Sequence, residues 1–210
     1  MLVITGPLRS GTSPLARMAH QMGILMGESM GMPRPGSDEL EYEDYALSFA
    51  LARHIAGVRP IGDTRKFFVD YVSERIDHFQ RMRGLFGRSI VRGWGVKTPY
   101  LLPFYRQWRE VLGNFDEKVR VVLCDREPIE TYNSLKRSQP PKGSLEPVYK
   151  MQDELYESLP LWSENADVVV SLRDTRANPG GVARQMARTM GLDLEDEQRA
   201  VAVRGIRRKG

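Results

Sequence analysis

Cysteine is nearly absent from this chain, which has 210 residues and a single cysteine, Cys124. An intramolecular disulfide is therefore excluded, and because Cys124 lies in an apolar segment we expect it in the core. Long hydrophobic runs are also missing, so no segment is predicted to span a membrane. The chain begins with a strand-like segment in place of a signal peptide or targeting segment, which favours a reducing cytoplasm.

The sequence also lacks a strong excess of charge of either sign. It has 31 Lys and Arg against 27 Asp and Glu, a formal net charge of +4 at pH 7. Such a small excess does not indicate a general nucleic-acid-binding role, and a local basic site for a small polyanion suits it better. With 41% hydrophobic and 28% charged residues, the chain is predicted to form one globular domain over residues 1–210.

A phosphate-binding loop without its usual lysine occupies residues 6–13. The segment reads Gly-Pro-Leu-Arg-Ser-Gly-Thr-Ser and has the spacing of the G-x-x-x-x-G-K-[ST] pattern. Thr12 stands where nucleotide hydrolases have lysine, and a cation is found earlier, at Arg9. The apolar residues 1–5 predict a strand before the loop. A buried helical stripe is predicted after it, formed by Leu15, Met18, Ala19 and Met22.

The chemistry of this loop suits an anion. Gly6 and Gly11 permit backbone angles that a β-carbon would block. Backbone N–H groups can then converge on an anion at the helix N-terminus, where the helix dipole contributes about half a positive charge. Arg9 offers a planar fork of donors to phosphate or sulfate oxygens. Hydroxyl groups are added by Ser10, Thr12 and Ser13.

Strand and helix patterns alternate along the rest of the chain. This alternation predicts a P-loop-type three-layer α/β/α fold with a central parallel sheet, whose ligands bind at the carboxyl ends of the strands. We predict helices at 38–56, 66–82, from Pro99 through Leu112, 128–138, 148–159 and 178–191, strands within 89–97 and at 119–124 and 168–172, and loops at 27–37, 57–63 and 139–147.

A second candidate anion site follows the strand at 119–124. Arg126 comes directly after this strand, so we expect it at the same sheet edge as the loop at 6–13. Ser134 lies two helical turns into the next segment, on nearly the same helix face as the start of that helix. A guanidinium and a hydroxyl placed in this way can hold a second phosphate.

Together these segments resemble the sulfotransferases that use 3′-phosphoadenosine 5′-phosphosulfate (PAPS). The loop at 6–13 is similar to their 5′-phosphosulfate loop, in which R-S-G-T-S is a common sequence. Residues 119–134 resemble their 3′-phosphate motif, with an arginine, a proline two residues on and a serine eight residues on. Residues 95–99 resemble the lysine-threonine-proline element of the bacterial-type and protein-tyrosine branches, and Tyr42-Glu43-Asp44 resembles an acidic element of the same branches.

The resemblance implies roles for particular residues. Arg9 and Lys97 would stabilise charge at the transferring group, and Arg126 and Ser134 would bind the 3′-phosphate. Glu43 is the first candidate for the general base and Glu28 the second. The 5′ end of PAPS would be held by Ser10, Gly11, Thr12 and Ser13. The product would be adenosine 3′,5′-bisphosphate (PAP), with no metal, and the acceptor a hydroxyl or amine of a small molecule, sugar, lipid or peptide.

Two alternatives stay open. Residues 119–125 form an apolar segment ending in aspartate, as in a magnesium-binding strand, which would suit a magnesium-dependent small-molecule kinase. A non-catalytic nucleotide-binding module is the other alternative. The three histidines, His20, His54 and His78, are interpreted as surface or packing residues, the basic residues 207–210 as a frayed tail, and the three tryptophans as core or loop anchors.

Overall fold

A five-stranded parallel sheet forms the centre of the computed structural model, with strand order β2-β5-β1-β6-β7. The structure describes residues 1–27, 32–33, 40–41, 44–115, 118–138 and 146–204. The strands of this sheet and of a short antiparallel pair, β3 and β4, are β1 Leu2–Thr5, β2 Ile24–Met26, β3 Met32–Pro33, β4 Leu40–Glu41, β5 Gly93–Lys97, β6 Arg120–Asp125 and β7 Val168–Ser171. The three-layer fold predicted from the sequence is confirmed.

Helices cover both faces of the sheet. They are α1 Thr12–Gln21, α2 Tyr45–Ile55, α3 Thr64–Phe86, a 3₁₀ helix Pro99–Phe104, α4 Tyr105–Asn114, α5 Pro128–Ser138, α6 Glu146–Ser163, α7 Leu172–Ala177, α8 Pro179–Met190 and α9 Asp196–Arg204. Among these described helices, each is too short or too polar to cross a membrane.

Alternating side chains of the strands divide the core into two layers. Leu2 and Ile4 of β1 pack with α1 and α8, whereas Val3 packs with α3 and α4 on the other face. The predicted α1 stripe of Leu15, Met18, Ala19 and Met22 is buried, and so are Trp94, Trp108, Trp162 and Cys124. Burial also raises the pKa of the Cys124 thiol, which keeps it protonated and unreactive.

The prediction of a helix at 38–56 is wrong about where the helix begins. Leu40–Glu41 pairs with Met32–Pro33 as antiparallel strands, and the helix begins only at Tyr45. Asp44 explains this boundary, because its side chain accepts a hydrogen bond from the Leu47 N–H and caps the helix. Met32–Pro33 also lies inside the segment predicted as a loop.

Other boundaries differ for local reasons. The strand predicted at 168–172 ends at Ser171, whose hydroxyl accepts from the Asp174 N–H and starts α7. The helix predicted from Pro99 begins as a 3₁₀ helix that contains Pro103, a residue with no N–H to donate. The predictions missed β2, α7 and α9, and helix 148–159 extends over Glu146–Ser163.

Candidate active site

The loop at 6–13 joins β1 to α1 with an unusual backbone. Arg9 has φ 65°, and among the described residues it is the one non-glycine with positive φ. A left-handed non-glycine residue is strained and is commonly found at functional sites. Gly11 has φ 106° and stands at the N-cap of α1, where no side chain caps the first turn. The N–H groups of this turn are therefore not taken by a capping side chain.

Two glycines allow the loop to pack closely on neighbouring elements. A β-carbon at Gly6 would lie 2.4 Å from the backbone oxygen of Cys124 in β6. A β-carbon at Gly11 would lie 2.8 Å from Cδ1 of Leu172, the first residue of α7. The loop is therefore seated directly against the carboxyl ends of β6 and β7.

The two predicted nucleotide-binding segments meet at Arg9. Its Nε donates to the Ser134 hydroxyl at 3.2 Å, and Arg126 Nη1 donates to the Arg9 carbonyl at 2.9 Å. Arg126 Nε also forms an ion pair with Glu130 at 2.8 Å. The structure thus places Arg9, Arg126 and Ser134 in one cluster at the carboxyl edge of the sheet.

Gln152 in α6 holds this cluster in place, although in the sequence it is only a polar residue within a helical segment. It is fully buried, its Oε1 accepts from the Leu8 N–H at 2.9 Å, and its Nε2 donates to the Leu8 carbonyl at 3.1 Å. Nε2 also donates to Thr131 Oγ1, and Thr131 in turn bonds to Tyr156, whose hydroxyl donates to the Arg126 carbonyl. The loop and the Arg126 segment are therefore held by one network.

The hydroxyl groups predicted to face the anion differ in environment. Ser10 is completely buried, and its Oγ has no hydrogen-bond partner among the described residues. Thr12 is buried and Ser13 is half-buried. A buried hydroxyl without a partner is costly, so Ser10 Oγ is available for a ligand oxygen or for water.

Lys97 ends β5 beside the loop. Lys97 pairs with Ile4 of the neighbouring strand β1, and only 3% of its surface is exposed. The Thr5 hydroxyl, just before Gly6, donates to the Thr98 carbonyl at 2.9 Å. This bond fixes the end of β5 against the start of the loop, so Lys97 belongs to the same sheet edge as Arg9.

Glu43 and Glu28, the two candidates for the general base, lie outside the described residues, as do residues 207–210. Asp44, next to Glu43, is fully buried and accepts from the Tyr71 hydroxyl at 2.7 Å. Within the predicted acidic element, Asp44 is therefore a structural cap. His54 also has a structural use, because its Nδ1 accepts from the Ile61 N–H.

Two further arginines lie near Glu130, the ion-pair partner of Arg126. The hydrogen bond from Arg126 lowers the pKa of Glu130, and the nearby charges of Arg176 and Arg173 lower it further. Both arginines belong to α7, which the sequence did not predict. The structure therefore adds Arg173 and Arg176 to the charged side chains near Glu130.

The glycine-rich loop between β1 and α1 meets a second cationic segment after β6 at the carboxyl edge of the parallel sheet, and the fold as a whole is similar to that of known sulfotransferases. Three solved structures share it. Sulfotransferase STF1 from Mycobacterium tuberculosis H37Rv has a TM-score of 0.58 and 17% identity, over 97% of this chain and 70% of its own. STF9 from Mycobacterium avium has a TM-score of 0.59 and 14% identity, over 96% and 66%.

The third structure is the sulfotransferase domain of the Synechococcus PCC 7002 olefin synthase, with a TM-score of 0.50 and 15% identity. The match covers 98% of this chain and 79% of that domain. The predicted resemblance is thus confirmed as a likeness of fold. A comparison with models of known protein families finds no match, and a search among curated proteins finds none either.

Proposed function

We propose that this protein is a sulfotransferase that moves a sulfuryl group from PAPS to a hydroxyl or amine. The observation that carries this proposal is the junction of Arg9, Arg126 and Ser134. Two arginines and a serine from segments far apart in sequence meet beside a phosphate loop. A nucleotide with phosphate groups at both its 5′ and 3′ positions requires two adjacent anion sites of this kind.

The residues present fit such a donor. The buried, unpartnered Ser10 hydroxyl can donate to a 5′ phosphosulfate oxygen, and the uncapped first turn of α1 offers backbone N–H groups. Thr12 and Ser13 lie in that turn, and Gly11 is the N-cap residue directly before it. Arg126 and Ser134 would hold the 3′-phosphate, with Arg9 between the two anions.

The donor supplies a sulfuryl group on a phosphosulfate anhydride, with the 5′-phosphate as leaving group. Lys97 and Arg9 would stabilise the negative charge that develops on the bridging oxygen as the S–O bond breaks. Glu43, or else Glu28, would take the proton from the acceptor hydroxyl or amine as the new bond to sulfur forms. No metal is assigned a role in this scheme.

A magnesium-dependent kinase is the second candidate. Asp125 ends β6 at the carboxyl edge of the sheet with an exposed carboxylate, in a position that could hold magnesium. The kinase hypothesis gives no role to Arg126 and Ser134, so we rank this hypothesis below the sulfotransferase proposal.

Calorimetric titration with PAP, set against ATP with magnesium, tests the proposal directly. We expect PAP to bind tightly and Arg126→Ala to weaken that binding. Lys118→Ala is the matched control, because Lys118 is exposed and precedes the amino end of β6. Binding of magnesium-ATP without binding of PAP would overturn the sulfotransferase proposal and favour a kinase.

A further inference from the structure

Arg75 interrupts the buried face of α3. The buried positions of this helix are Phe68, Tyr71, Val72 and Arg75, which follow the spacing of one helical face. An apolar side chain is expected at the fourth position, yet an arginine is found there with only 2% of its surface exposed. Arginine is charged at any physiological pH, and a buried charge ordinarily requires a partner of opposite sign.

The partner is missing among the described residues. Arg75 Nη2 donates to the Gly27 carbonyl at a long 3.4 Å, while Nε is buried without any hydrogen bond. No described carboxylate forms an ion pair with it. Arg83 on the same helix also has an unbonded Nε, but its guanidinium lies over the Phe79 ring, 5.5 Å from the centroid. Within the part of the chain that the structure describes, Arg75 has no comparable ring contact.

Arg75 lies close to the catalytic edge. Gly27 follows β2 directly, and its N–H donates to the carbonyl of Gly95, two residues before Lys97. An open depression with a volume of about 510 Å³ adjoins Arg75. Its described lining comes from one face of α3 and is strongly polar, consisting of Glu74, Arg75, Asp77, His78 and Arg81.

We propose that Arg75 binds an anionic group of the acceptor, so that the preferred acceptors carry a carboxylate or a phosphate besides the hydroxyl that is sulfated. This inference rests on the proposed sulfotransferase function. An anion at Arg75 would supply the missing counter-charge and would be held by a planar fork of donors. The polar lining disfavours a wholly apolar acceptor.

The test uses acceptor pairs that differ in one charge: 4-hydroxyphenylacetate with its amide, glucuronate with glucose, and glycerol 3-phosphate with glycerol. Transfer from labelled PAPS and direct calorimetric binding of each compound are measured with wild type, Arg75→Met and Arg75→Lys. Arg65→Met is the matched control, since Arg65 lies at the exposed start of α3. We expect the wild type to prefer an anionic member and Arg75→Met to raise its KM about tenfold or more.

Several readouts separate the inference from the proposed function. If PAP binds and transfer occurs but charge in the acceptor makes no difference, the inference fails while the function stands. If PAP does not bind but an anionic compound binds in an Arg75-dependent way, the function fails and the anion site stands. The urea midpoint of ligand-free Arg75→Met should equal or exceed that of the wild type, because the variant removes a buried charge that has no counter-charge among the described residues. A marked fall in that midpoint, or no Arg75-dependent binding of any anionic member, overturns the inference.

Discussion

Arg126 donates from Nη1 to the backbone carbonyl of Arg9, a residue 117 positions earlier in the chain. The bond holds the loop at 6–13 at a residue whose φ of 65° is strained. It also leaves the Arg9 side chain directed to Ser134. The Arg126 guanidinium belongs to the proposed 3′-phosphate site and also restrains the backbone of the loop at 6–13, the proposed 5′-phosphosulfate site. A change at one of these sites should therefore affect the other.

Replacing Glu130 should strengthen nucleotide binding. Its carboxylate occupies Nε of Arg126, a donor that the proposed 3′-phosphate could use. Glu130→Gln removes this competing charge, and we expect PAP affinity to rise about twofold to fivefold. Because Arg126 lowers the pKa of Glu130, the wild-type ion pair persists below the usual pH range of a glutamate, and mild acid should not reproduce the effect. Calorimetry with Glu127→Gln as control checks this, and unchanged or weaker PAP binding contradicts it.

Removing the hydrogen bonds of Gln152 should destabilise the loop at 6–13. Gln152→Met keeps a side chain of similar length but leaves the Leu8 N–H and carbonyl without their partner. An unsatisfied buried group costs about 1–3 kcal/mol, so urea unfolding should show a loss of that order. PAP affinity should fall as well. Gln185→Met on the exposed side of α8 is the control, and equal stability of the two variants would remove Gln152 from this role.

Lys97 should matter for turnover more than for binding. If it stabilises charge that develops only during transfer, Lys97→Met should reduce kcat about 100-fold to 1000-fold. PAP affinity should change little, and Lys118→Met should leave both quantities unaltered. Calorimetry and a labelled-sulfate transfer assay together provide the comparison. Full activity in Lys97→Met would exclude the lysine from the mechanism.

Gly6 should tolerate no side chain. In Gly6→Ala the new β-carbon would meet the Cys124 backbone oxygen at 2.4 Å, so either the loop or β6 must move. We expect a loss of about 2 kcal/mol or more in the free energy of unfolding, together with weaker PAP binding. Gly84→Ala is a matched control in α3, where the added methyl group meets open space. That control should gain about 1 kcal/mol, and the prediction fails if both variants behave alike.

Local signals in the sequence were sufficient for the main outline. The β1–loop–α1 unit was predictable because its strand, glycines and helical stripe are contiguous in the chain. The element at 38–56 was not, because the apolar spacing of Leu47 and Leu51 continues backwards through Leu40. Only the side chain of Asp44, with its hydrogen bonds to Leu47 and Tyr71, places the beginning of the helix. That residues 1–210 form a single domain stays a prediction.

The sequence by itself determined which residue types could bind anions and that they follow strands of a parallel sheet. Glycine spacing and hydrophobic periodicity are local properties, and they were enough for the fold class. The roles of Arg9, Arg126 and Ser134 were implied by the resemblance to sulfotransferases and stay predictions. Only the tertiary structure decided that Arg126 and Ser134 meet at Arg9, that Gln152 holds the loop, and that the buried Arg75 forms no ion pair with any carboxylate of the described residues. These contacts join segments far apart in the chain, and the packing of whole elements decides which distant side chains meet.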